Sequence, residues 1–170
     1  MEPSLPISPH GQGYVGLTIV DGVTVVSPPE EALRSGLIDV PLLLQTELAE
    51  MDTYVNNATI DGMTAAQYDR FLSTLLGREG FAPNVSRMVR AAYAKELAVS
   101  AEFAQQVFMA DFSFLCGSLA LATAAGKGFL SPVYLSVGVH APCHPLHVLP
   151  GRPPSRYAGH NFDFIAAARS

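Results

Sequence analysis

Two β-type runs at opposite ends of a helical stretch constrain this chain more than any other feature. The first, "DVPLLLQTEL" (39–48), is a compact apolar run closed by polar residues, the pattern of a strand buried on both faces in a parallel sheet. The second, "FLSPVYLSVGV" (129–139), alternates and is rich in β-formers. Between them helical spacing recurs three times. "TAAQYDRFLSTLL" (64–76) sets Ala65, Tyr68, Phe71, Leu72 and Leu75 at helical intervals, with Gly77 as the stop. "NVSRMVRAAYAKELA" repeats the pattern from Asn84, and "SAEFAQQVFMADFSFLCGSLALATAAG" makes a long third helix starting at Ser100, with Glu102 near its N-terminus.

The flanks are less regular. "YVGLTIVDGVTVV" (14–26) places β-branched residues around Asp21-Gly22 and predicts a hairpin or bent strand. "SPPEEALRSG" predicts a short helix with Ser27 as N-cap, prolines and Glu30 and Glu31 in the first turn, and Gly36 as the stop. After the second strand, five prolines in "HAPCHPLHVLPGRPP" exclude regular structure and predict a long loop, followed by a C-terminal helix. The fold class is therefore α/β, a few strands with about four to five helices, and residues 1–170 read as a single domain.

Composition narrows the partners. With ten Lys and Arg and a net charge of -5, the chain has no basic stripe for a phosphate backbone and no polybasic patch for an anionic membrane; nucleic acid is not expected. "MEPSLPISPHGQGYVG" lacks the basic start and apolar stretch of a signal peptide. The most apolar segment, "FSFLCGSLALATAAG", reads as a buried helix rather than a membrane span. Cys116 and Cys143 make no disulfide framework, and their pairing is left open by the spacing. Asn57 and Asn84 open glycosylation sequons, whose alternative is plain polar loop. The compartment stays undetermined.

Three groups of residues could carry chemistry. His160 in "RYAGHNFDF" stands on a loop three residues before Asp163, and imidazole is the side chain best suited to proton transfer near neutrality. Glu50 lies in an acid-rich turn with Glu47 and Asp52 at the end of the first strand, and Glu47 competes with it for the same role. His140, Cys143, His144 and His147 are zinc-type ligands, but their spacing matches no standard finger and the prolines stiffen the loop, so neither metal nor cofactor is expected. Tyr68, Phe71, Phe103, Phe108, Phe112 and Phe114 fall on helix faces and read as core.

In order along the chain, several short segments resemble the C-terminal part of the type-B carboxylesterases, the cholinesterase-like branch of the α/β-hydrolases. "VDGVTVVSPPEEALRSG" is similar to that family's "V-D-G-x-x-x-x-x-x-P-x-x-x-x-x-x-G". "VPLLLQTELAEMDTY" lines up with the segment "P-x-x-x-G-x-x-x-D-E-G" that delivers the triad acid, which puts Glu50 on that position. Asp111, Phe114 and Cys116 sit like the family's "D-x-x-F-x-C-P" helix, and "PVYLSVGVHAP" looks like its "V-Y-x-Y-x-F-x-H" strand, with His140 at the end. "GHNFDFIAAA" matches "H-G-x-E/D-x-x-x-x-F" and puts His160 on the triad histidine. Ala49, Met51, Gly117 and Asn161 depart from the pattern. No G-x-S-x-G and no glycine-rich oxyanion segment occurs in the sequence.

The resemblance implies a serine hydrolase of carboxylic esters, of which this chain carries base and acid. Ester cleavage by that route also needs a serine nucleophile and backbone donors for the oxyanion. Both would belong N-terminal to Met1, and the chain alone is expected to be inactive, with an ester substrate only once such a part completes it. A few strands taken from a larger sheet leave an unpaired edge, so self-association is expected. The alternative is a non-catalytic esterase-like domain working in protein association.

Overall fold

A computed structural model describes residues 20–53, 62–141 and 157; the predicted C-terminal helix and part of the proline-rich loop lie outside them. Helix α1 spans Pro29–Arg34 and strand β1 spans Leu42–Glu47, leading into a 3-10 turn, Glu50–Thr53. Four α-helices follow: α2 (Ala65–Arg78), α3 (Pro83–Ala92), α4 (Ala94–Val99) and α5 (Ala101–Ala110). A π-helical turn, Asp111–Leu115, joins α5 to α6 (Cys116–Gly128), and β2 (Val133–Gly138) comes last.

β1 and β2 pair in parallel, in register from Leu42↔Val133 to Glu47↔Gly138. With helices as the intervening chain, the unit is a crossover between parallel strands, which needs a long connection. The result is a mixed α/β chain, mostly helical, with a two-stranded parallel sheet among the described residues. The strand starts are tied by a side chain as well: the Ser131 N–H donates to Asp39 Oδ1 at 2.8 Å, and that bond holds the Asp39 carboxyl below its ordinary range.

Several elements form where their local chemistry directs. Thr64 caps α2 through a capping box in which its hydroxyl accepts from the Gln67 N–H and the Gln67 side chain accepts from the Thr64 N–H. Ser100 caps α5, its hydroxyl accepting from the Phe103 N–H at 3.0 Å. Gly36, at φ +69°, stops the chain after α1, and α1 packs on α6. A Cβ on Gly128 would collide there with the carbonyl oxygens of Leu33 and Arg34.

Elsewhere the structure corrects the sequence expectations. Residues 20–26 contain no strand. Asp21 Oδ1 instead accepts from the N–H groups of Val23, Thr24 and Val25 at 2.8–2.9 Å, which consumes donors that a sheet would need. The same bonds, Val25 foremost, hold the Asp21 carboxyl down to about 2. Ser27 does not cap α1; Pro28 holds the cap position with no side-chain bond. Gly77 lies inside α2 rather than after it. The second helical stretch breaks at Tyr93, which caps α3 at φ -96°, ψ 24°. β1 is not buried on both faces, because Leu43 is 62% exposed, as is its partner Tyr134 at 59%.

The core lies among the helices. Tyr68, Leu72, Leu75 and Leu76 of α2 meet Ala101, Ala104, Phe108 and Met109 of α5, with Met51 of the 3-10 turn joining them. Phe108 stacks on Phe112 at 5.7 Å and meets Phe71 and Tyr93 edge-on at 6.2 and 5.6 Å, arrangements that match the aromatic quadrupole. The Tyr93 hydroxyl donates to Asp111 Oδ2 at 2.5 Å; burial first, and then that acid, push the phenol well above its ordinary range. The helical stretch Ala101–Gly128 is long and apolar enough to cross a membrane by length and composition, with a mean hydropathy of 1.6 in its most apolar window. The segment 112–126 within it, expected as a buried helix, is mostly not buried: only Ala124 and Ala125 of α6 are. The core helix of a soluble protein passes the same test of length and composition.

Candidate functional site

The carboxyl ends of parallel strands are where α/β folds place their chemistry, because loops leaving neighbouring strands diverge there and open a crevice. At that end of β1, Thr46, Glu47, Glu50 and Asp52 are all buried, at 2%, 4%, 7% and 4% exposure. A carboxylate withdrawn from water requires hydrogen-bond donors. Glu50 finds two nearby: its Oε1 accepts from the Glu47 N–H at 2.9 Å and from the Thr46 hydroxyl at 3.2 Å. The 3-10 turn brings it back over the strand end that precedes it. A carboxylate anchored through one oxygen has a fixed orientation, which is what a group that sets an imidazole's tautomer needs.

Glu47, the competing acid, faces the other strand. Its carboxylate lies against Gly138 so closely that a Cβ there would collide with it. The Leu48 N–H donates to the Gly138 carbonyl at 2.8 Å, extending the pairing one step past the ladder. Only a glycine at 138 leaves room for the Glu47 carboxylate. A lone glycine inside an alternating β run was the available signal, since it marks close backbone approach.

Asp52 reaches further along the chain. Its Oδ2 accepts from the Tyr157 N–H at 3.3 Å, and the Tyr157 ring meets Phe103 of α5 at 5.1 Å. No local pattern announced that contact, which joins residues 105 apart in sequence. α5 packs against the 3-10 turn and adds the buried polar residues Glu102, Gln105 and Gln106.

Of the residues singled out by sequence, Glu50, Glu47 and Asp52 are brought together at the end of β1, and His160 and Asp163 lie outside the described residues. From the histidine-rich stretch only His140 is described, exposed two residues beyond β2; Cys143, His144 and His147 lie outside. Among the described residues no group of three or more His, Cys, Asp or Glu could hold a metal ion. Cys116 is exposed at the start of α6 with a free thiol. Asn84 is exposed in the first turn of α3, not in a loop, and Asn57 is not described. Compared with known proteins, the chain matches no family model, no curated protein and no solved structure.

Proposed function

We propose that this chain supplies the acid and the base of a carboxylesterase-like serine hydrolase site, with Glu50 orienting His160, and that the nucleophile and oxyanion donors come from a segment outside these residues. The observation that carries the reading is the parallel pairing of β1 with β2. It ends both strands on one side, so the chain that leaves β2 for His160 departs beside the buried, anchored Glu50. Tyr157, three residues before His160, rests on Asp52, two residues after Glu50. Three extended residues reach at most about 10 Å, a span compatible with the proposed pairing.

In such a site His160 would take the proton of the attacking serine and return it to the leaving alcohol, while Glu50 holds the ring and stabilises the imidazolium. Without a nucleophile the pair has nothing to deprotonate, so turnover of a short-chain aryl ester by this chain alone is not expected. The pairing itself can be tested without turnover. A neighbouring carboxylate favours the imidazolium, so His160 should titrate above the usual value of about 6.5. In an NMR titration, one imidazole should move up and vanish in His160→Ala; in Glu50→Gln its titration should fall back toward the ordinary value. Five histidines that titrate identically with and without Glu50→Gln would refute the pairing.

A second reading, a non-catalytic domain working in protein association, is favoured by one observation: Leu43 and Tyr134 form an exposed apolar pair on the outer face of the sheet.

A further inference from the structure

We infer that the groove running along α2 binds an amphipathic carboxylate of fatty-acid type, apart from the acid-rich strand end and independent of the esterase reading. The groove is open to solvent and offers about 360 Å³, a volume within the range of small-ligand sites. Its apolar side is built from Phe71 and Leu75 of α2 and Met109 of α5. Leu75 and Met109 are buried, at 7% and 1% exposure, so their packing is already fixed before a ligand arrives. Arg70, Thr74 and Arg78 complete the lining; they recur at four-residue intervals and so share one stripe of the helix.

Charge decides what the groove takes. The chain is acidic overall, at -5, yet two guanidiniums flank this one apolar surface. The described arginines that form ion pairs are elsewhere: Arg34 pairs with Glu30 and Arg90 with Asp69. Neither Arg70 nor Arg78 is neutralised by an acid among the described residues. Gln67, at the head of the groove, is already committed to the capping box with Thr64. Arg70 and Arg78 stand about 12 Å apart along the helix axis, too far to converge on one phosphate, but each can offer a planar fork to a carboxylate. An anionic head at either arginine then leaves an apolar tail to lie along Phe71, Leu75 and Met109. A purely polar anion would forfeit that contact, and a neutral chain would leave both charges unused.

The test is a titration of the whole chain with sodium decanoate at submicellar concentration, read on the methyl NMR signals of Leu75 and Met109. Decanol supplies the same tail without charge, and acetate the same head without the tail. Saturable shifts with decanoate are expected, with decanol and acetate at least about tenfold weaker. Arg70→Gln/Arg78→Gln should raise the Kd about tenfold, in line with partly exposed charge-assisted contacts, whereas Arg87→Gln, at an exposed site away from the groove, should not. Thr74→Trp, which fills the groove at unchanged charge, should abolish the shifts. The inference is overturned by the absence of saturable shifts, by decanol binding as tightly as decanoate, by an unchanged Kd in the double arginine variant, or by full binding in Thr74→Trp.

Discussion

α5 and α6 follow one another through a single π-turn along one helical stretch, and their fates differ. Every residue of α5 except Phe103 is buried, including Glu102, Gln105 and Gln106. In α6 only Ala124 and Ala125 are buried, and Leu119 is 54% exposed. The helix that carries Glu102, Gln105 and Gln106 is inside, and the one rich in Ala, Leu and Gly is largely outside. Burial here follows from what packs on a helix rather than from its composition: α2, α4 and the 3-10 turn cover α5, whereas α6 meets α1 and one face of the sheet. Polar groups carried into α5 must then be satisfied or tolerated, and Gln106, fully buried, has no hydrogen-bond partner for either amide atom among the described residues.

Three substitutions test that contrast. The largest effect should come from Phe108→Ala in α5, which removes a ring in contact with Phe71, Tyr93 and Phe112. A loss of about 3–5 kcal/mol in denaturant unfolding is expected, and a loss below about 1 kcal/mol would mean that the helical core is not packed as described. Next, Gln106→Leu keeps a similar shape and removes two unsatisfied polar atoms, so it should stabilise the chain by about 1–3 kcal/mol. If it destabilises instead, the amide is bonded in solution and the comparison loses its sharpest point. The smallest effect should come from Leu119→Ala in α6, within about 0.5 kcal/mol for an exposed site. A larger cost that grows with protein concentration would show α6 covered by a second copy, the outcome that self-association through the open sheet also predicts; sedimentation measurements would check it.

How much of this was legible in the sequence varies from element to element. The α2 and α5 starts were readable because Thr64 with Gln67, and Ser100, satisfy orphan N–H groups within three residues of themselves. Both strands were readable from their apolar runs, and the first was readable as a strand of a parallel sheet, but that the two pair with each other was not. Asp21-Gly22 misled, because the same dipeptide that turns a hairpin also lets the Asp21 carboxylate gather three N–H groups of its own loop. The break at Tyr93 was invisible: no proline or glycine stands there, and its hydroxyl answers to Asp111, 18 residues away. At the candidate site Glu50 was legible as an acid past a strand, while its donors Thr46 and Glu47, the close fit of Gly138 and the reach of Tyr157 to Asp52 were not.

By itself, the sequence determined where α2 and α5 begin and where the two paired strand runs lie, since periodicity and capping chemistry act over a few residues. Tertiary structure alone decided which faces are covered. It exposed Leu43 and Tyr134, buried Gln106, and set Glu47 against Gly138. Those outcomes depend on partners far away in the chain, brought close only when the two strands align and α5 is enclosed, so no local pattern could carry them.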